Sequence, residues 1–172
     1  MPKEIYILRH AEKDDLGTLT DKGRQQATEL RDRLPQFSNV ISSESKRAQE
    51  TATLVTGKEP KVDPRAGFYM AHPEKSDELN RIAKEKGIPF LEAVVLLNDS
   101  EVLAGIDDKA GQLNDLVKEL LETLPDGAKA IIISHDLSIS PAMQKRGVPL
   151  ESIPFLSGYI IDEEGKISTF TP

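Results

Sequence analysis

In the stretch Ile5-Tyr6-Ile7-Leu8-Arg9-His10, four apolar residues run directly into an arginine and a histidine. A short, partly β-branched and continuous apolar run of this kind reads as a strand covered on both faces. The pattern returns late in the chain, where Ala130-Ile131-Ile132-Ile133 runs straight into Ser134-His135. Between them Asn39-Val40-Ile41 reads as a brief further strand, and Arg47 falls in the first turn of the helix expected after it. Three strands, each followed at once by a polar cluster, set the frame for the rest.

Helical patterns fill the intervals. One starts at Thr20, with Gly23, Ala27, Leu30 and Leu34 at helical spacing until Pro35 stops it. Ser42 or Ser43 is expected to cap the next, whose apolar positions are Ala48, Thr51, Ala52 and Val55, with Gly57 closing it. Residues 59–67 read as an irregular connection. Helices are expected from Pro73 to about Lys86 and from Pro89 to about Leu97. The clearest runs from Gln112 to Leu124, where Leu113, Leu116, Val117, Leu120, Leu121 and Leu124 form one stripe. A short helix is expected around Ser140 to Lys145. Two last strands, Phe155 to Ile161 and Lys166 to Phe170, are joined by the hairpin signal Asp162-Glu163-Glu164-Gly165. Strands alternating with helices predict a three-layer α/β/α sandwich with a central, mostly parallel mixed sheet, residues 1–172 forming one domain.

Composition narrows the function. A net charge of −7 over 172 residues argues against general binding to nucleic acid or anionic membrane. The absence of cysteine excludes disulfides, thiolate nucleophiles and cysteine-ligated metals. No apolar run reaches the length of a signal peptide or a transmembrane helix, so a cytoplasmic protein is expected. No dinucleotide or phosphate-loop glycine pattern suggests a cofactor.

Ligands of open α/β sheets bind outside the carboxyl ends of the strands. If these strands are parallel, Arg9, His10, Arg47 and His135 reach one edge. Arginine forks match phosphate oxygens and stay charged. They also lower the pKa of a neighbouring histidine, which keeps it neutral and nucleophilic. A neutral imidazole can attack phosphorus in line, and a protonated second histidine adds a donor for the equatorial oxygens. Positioning and electrostatics carry most of such catalysis, so the machinery needs no metal.

These residues resemble a known family. Leu8-Arg9-His10-Ala11-Glu12-Lys13 is similar to the signature of the histidine phosphatase superfamily, the phosphoglycerate-mutase-like fold, with Ala11 where many members have glycine. Leu19 to Ala27 is similar to the segment that follows the signature in those proteins. Ser42-Ser43-Glu44-Ser45-Lys46-Arg47-Ala48 resembles the second arginine motif, and Ser134-His135 the late histidine motif, with Ser134 where glycine is common. Pro154 to Gly158 resembles the last-but-one strand. The motifs keep the family's order, while the resemblance is weak from about Lys58 to Leu124. It implies His10 as the phosphorylated nucleophile and Arg9, Arg47 and His135 as phosphate ligands; Lys13 beside them reads either as a substrate-binding residue at the pocket rim or as a solvated loop charge.

The family's usual acid has no obvious counterpart, and Asp63 to Tyr69 stands where a glutamate is often found. Glu74 is the preferred substitute, with His72 and Asp77 behind it, although Glu74 after Pro73 also reads as an ordinary first-turn carboxylate. The leading expectation is a metal-independent phosphatase, similar to the small phosphohistidine phosphatases. Its substrate would be a small phosphorylated molecule or a phosphoprotein. A phosphoramidate leaves more easily than an alkyl phosphate and needs less help from an acid. The alternatives are a phosphoglycerate mutase-type phosphotransferase, disfavoured because little chain is left for an enclosing lid, and a binding module without turnover.

Overall fold

A computed structural model describes residues 2–172. Six strands form one sheet: β1 (Glu4–Arg9), β2 (Asn39–Ser42), β3 (Lys61–Val62), β4 (Lys129–Ser134), β5 (Gly158–Asp162) and β6 (Ile167–Phe170), in the order β3-β2-β4-β1-β5-β6. The first four are mutually parallel, and β5 runs antiparallel to both β1 and β6. Ile7 stands opposite Ile132, and Arg9 opposite Ser134. The two strands therefore stop level, and His10 and His135 leave the sheet side by side.

Alternation along the central strands sends side chains into two cores. Ile5, Ile7, Ala130 and Ile132 face the helices α5 (Ser100–Thr123) and α6 (Asp136–Gln144). Leu8, Ile131 and Ile133 face α1 (Asp21–Leu30) and α2 (Lys46–Thr56). The result is an α/β/α sandwich with a mostly parallel mixed sheet, as the sequence predicts. A third, smaller core joins α3 (Pro73–Lys86), α4 (Phe90–Leu97) and the start of α5 through Leu79, Ala93, Val94, Val102 and Ile106. Among the described residues no helix is long and apolar enough to cross a membrane.

Several local expectations are corrected. Thr20 does cap α1, accepting from Gly23 N at 2.9 Å, but the helix yields at Arg31 to a 3-10 turn before Pro35. The cap of α2 is Ser45, whose Oγ accepts from Ala48 N at 3.2 Å, not Ser42 or Ser43. Gly57 closes α2 in the left-handed region, φ 72°, where glycine carries no Cβ penalty. Within 59–67 the chain adds the two-residue edge strand β3 and a 3-10 turn. Helix α5 starts at Ser100, capped by Asp99, well before the Leu113–Leu124 stripe. It passes through Gly105, where a Cβ would fall 2.3 Å from the Tyr69 ring. Tertiary packing of that ring, not helix propensity, explains the glycine. Helix α6 starts at Asp136, ahead of Ser140. Phe155 lies in a turn before β5 rather than in a strand.

Candidate active site

The carboxyl ends of β1, β2 and β4 open into a cleft of about 580 Å³ that Arg9, His10, Lys13, Arg47, His135 and Asp136 line. Helices α3 and α4 supply its far wall through Asn80, Ala83, Pro89 and Phe90. Four of the residues expected from sequence are thus gathered with Lys13. Glu74, His72 and Asp77 are not among the residues lining this cleft. Glu74 and Asp77 are exposed on α3, and His72 lies 3.7 Å from Glu101 at the surface.

His10 is buried, 2 % exposed. Its Nδ1 lies 2.8 Å from the Ala11 carbonyl oxygen, an acceptor only, so Nδ1 carries the proton and Nε2 is left with its lone pair. Arg47 Nε donates to that Nε2 at 3.2 Å. Burial is the main cause that pushes the His10 pKa down to about 3, with Arg47, Arg9 and Lys13 adding to it against the Ala11 carbonyl. The sequence reading assigned this effect to the arginines; desolvation leads and they assist. Either way the ring is neutral near pH 7, the state an attacking imidazole needs.

His135 sits with its ring centroid 5.2 Å from that of His10. Its Nδ1 lies 3.5 Å from Arg47 Nη2, and its Nε2 lies 2.7 Å from Ser43 Oγ. Burial, then the neighbouring His10 and the two arginines, lowers its pKa to about 2. In the free protein this histidine is neutral, so the protonated state expected of it requires an anion to arrive.

Arg9 is anchored rather than free. Its Nη1 donates to the Ile153 carbonyl at 2.6 Å and its guanidinium stacks 4.2 Å from the Phe155 ring centroid. Among the described residues its buried Nε has no hydrogen-bond partner. Asp136 secures the segment that holds it, accepting from Ile153 N and Ser152 Oγ, both at 2.8 Å. For Lys13, burial and the charges of Arg47 and Arg9 lower the pKa. This is a crowded cationic corner, which a bound anion would relieve.

The surrounding scaffold locks these groups. Ala11 N donates to Thr51 Oγ1 at 3.1 Å, and that hydroxyl donates to the Arg47 carbonyl at 2.7 Å, tying the end of β1 to α2. Ser134 Oγ donates to the Ala66 carbonyl and Ser138 Oγ to the Gly67 carbonyl, both at 2.6 Å. These bonds hold Phe68 against His135, ring centroids 4.6 Å apart, with Arg47 5.4 Å from its ring. A second cleft of about 620 Å³ meets the first at Arg47, Phe68 and His135 and opens between Leu16 and Met70. Sequence reasoning missed Ser43, Phe68, Phe155 and Asp136 as parts of the site. Asp136, adjoining His135 at a helix start, carried a usable signal; the others are placed by tertiary contacts alone.

The family model of the histidine phosphatase superfamily (branch 1) matches residues 5–68. Among solved structures, YhfR of Bacillus stearothermophilus superposes with a TM-score of 0.71 at 20% identity, over 97% of this chain and 95% of that one. A mycobacterial glucosyl-3-phosphoglycerate phosphatase gives 0.67 at 18% identity, over 97% and 96%. A phosphoglycerate mutase from Bacillus anthracis str. Sterne gives 0.64 at 19% identity, over 99% and 92%. Among curated proteins no sequence matches the chain. The chain thus matches the histidine phosphatase model over residues 5–68 and shares the fold of these solved structures along nearly its whole length.

Proposed function

We propose that this member of the histidine phosphatase fold is a metal-independent phosphatase working through a phosphohistidine on His10. The observation that carries the reading is the state of His10: buried, its Nδ1 proton held by the Ala11 carbonyl, its Nε2 lone pair facing Arg47. In the first step Nε2 forms a bond to phosphorus while the bond from phosphorus to the leaving group breaks, its electron pair departing with that group. Arg47 leaves Nε2 for the incoming oxygens, joined by Arg9, Lys13 and His135. Water then attacks phosphorus, the N–P bond breaks back to Nε2, and the water's proton passes to solvent.

The leaving group is constrained by the wall around it. On the His10 side of Arg47, Asp136 is the one carboxylate lining the cleft among the described residues, and its two oxygens already accept from Ile153 and Ser152; Glu44 and Glu50 line the adjoining cleft, Glu50 paired with Arg24 at 3.0 Å. A carboxylate held by two donors is an acceptor, poorly suited to protonating an alkoxide. The site therefore favours groups that depart with little help, an aryl phosphate or a phosphoramidate such as phosphohistidine, on a small molecule or a phosphoprotein.

The test is hydrolysis of p-nitrophenyl phosphate with EDTA present, beside His10→Ala. Chelation-resistant activity that disappears in the variant is expected; hydrolysis retained in the variant overturns the reading. One observation favours a second reading. The α3–α4 wall is more cover than the sequence suggested, and a mutase needs cover to keep water from its intermediate. Isotope-traced transfer from bisphosphoglycerate to phosphoglycerate would establish that alternative.

A further inference from the structure

Ser43 stands outside the four residues that face the phosphoryl position, yet its hydroxyl is 2.7 Å from His135 Nε2. A neutral imidazole has one donor nitrogen and one acceptor nitrogen. His135 Nδ1 faces Arg47 Nη2, a group that only donates. Nδ1 is then the bare nitrogen, and Nε2–H donates to Ser43 Oγ. The serine is set up to accept. Its own proton goes to Ser45 Oγ at 3.3 Å, while it takes a further bond from Ser45 N, also at 3.3 Å. Ser45 is in turn the cap of α2, the helix that carries Arg47. One serine pair thereby fixes the helix start and the histidine together. Ser43 itself is 1 % exposed.

We propose that Ser43 is a positioning residue that holds His135 in the Nε2–H tautomer, so that bare Nδ1 is the atom presented to the phosphoryl group. This rests on reading the cleft as a phosphate site. A phosphoryl group arriving with one proton shares that proton with Nδ1, and the total charge is unchanged whether the proton stays on oxygen or moves to nitrogen. With the opposite tautomer, an Nδ1–H would face the Arg47 donor and a lone pair would face a hydroxyl already committed to Ser45.

The test is long-range ¹H–¹⁵N correlation on histidine-labelled protein at neutral pH, with His135 assigned against His135→Gln. The wild-type ring is expected to show the Nε2–H pattern. Ser43→Ala should give mixed tautomers and weaken inorganic phosphate binding about tenfold, the loss of roughly one hydrogen bond, while Ser43→Thr restores both. An Nδ1–H pattern in the wild type overturns the proposal without any variant. So does a Ser43→Ala protein, folded by its amide spectrum, with tautomer and phosphate affinity unchanged. Neither readout requires turnover. An Nε2–H tautomer with hydrolysis retained in His10→Ala would sink the phosphatase reading and leave the serine's role standing.

Discussion

At the scale of single residues, the site is a set of neutral histidines kept so by burial beside fixed cations. Two expectations follow. Arg47 touches both histidines, and Arg47→Ala should lower kcat by about 10²–10³ while thermal unfolding changes little, as steady-state kinetics beside a melting curve would show. The second concerns pH. Both histidines bind protons less readily folded than unfolded, where the ordinary value is 6.5. Between that value and the folded ones, the unfolded chain holds more protons, so stability is greatest above about pH 6.5 and falls as pH drops. Each ring contributes up to about 1.4 kcal/mol per pH unit in that window. Urea midpoints at pH 7 and pH 5 should differ markedly in the wild type and less in His10→Ala; equal pH dependence in the two would contradict this. Arg9, His10 and His135 were legible because each stands at the end of an apolar strand, and Arg47 because it falls in the first turn of the helix after one. Ser43 and Phe68 were not, because nothing local tells that a serine meets a histidine 92 positions later.

At the scale of elements, the sequence was clearest where one pattern decided the outcome. The paired starts of β1 and β4 and the stripe in the second half of α5 are of this kind. It was least informative where a neighbour decided. Gly105 lowers helix propensity in the middle of α5, and its reason lies in Tyr69, whose ring fills the space a side chain would take. Gly105→Ala gains about 1 kcal/mol of propensity and is expected to lose about 1–3 kcal/mol by overpacking against that ring. A lowered Tm is the outcome that checks it. Weakened phosphate binding should accompany the change, because Tyr69 adjoins Phe68. The cap of α2 was misplaced for a related reason: three serines at 42, 43 and 45 offer the same chemistry, and only the strand's length shows which is free to cap.

At the scale of the whole molecule, β4 is the axis, with β1 on one side and β2 on the other. Ile132 is fully buried at its centre, and Ile132→Ala is expected to cost about 2–5 kcal/mol, read from the urea midpoint. The parallel sheet was legible as a class, since short apolar strands alternate with helices. The strand order was not, because local patterns do not say which strand lies between which. That order has a consequence for how the chain acquires its shape during synthesis. Neither β1 nor β2 has the other as a partner; both wait for residues 129–134. The strand that leads into His10 and the strand that precedes the Arg47 helix are made early and share no sheet until three-quarters of the polypeptide has been translated. Long-range closure of this kind slows folding, and a growing chain halted before β4 would hold every residue of the first two motifs without the strand that seats them in one sheet.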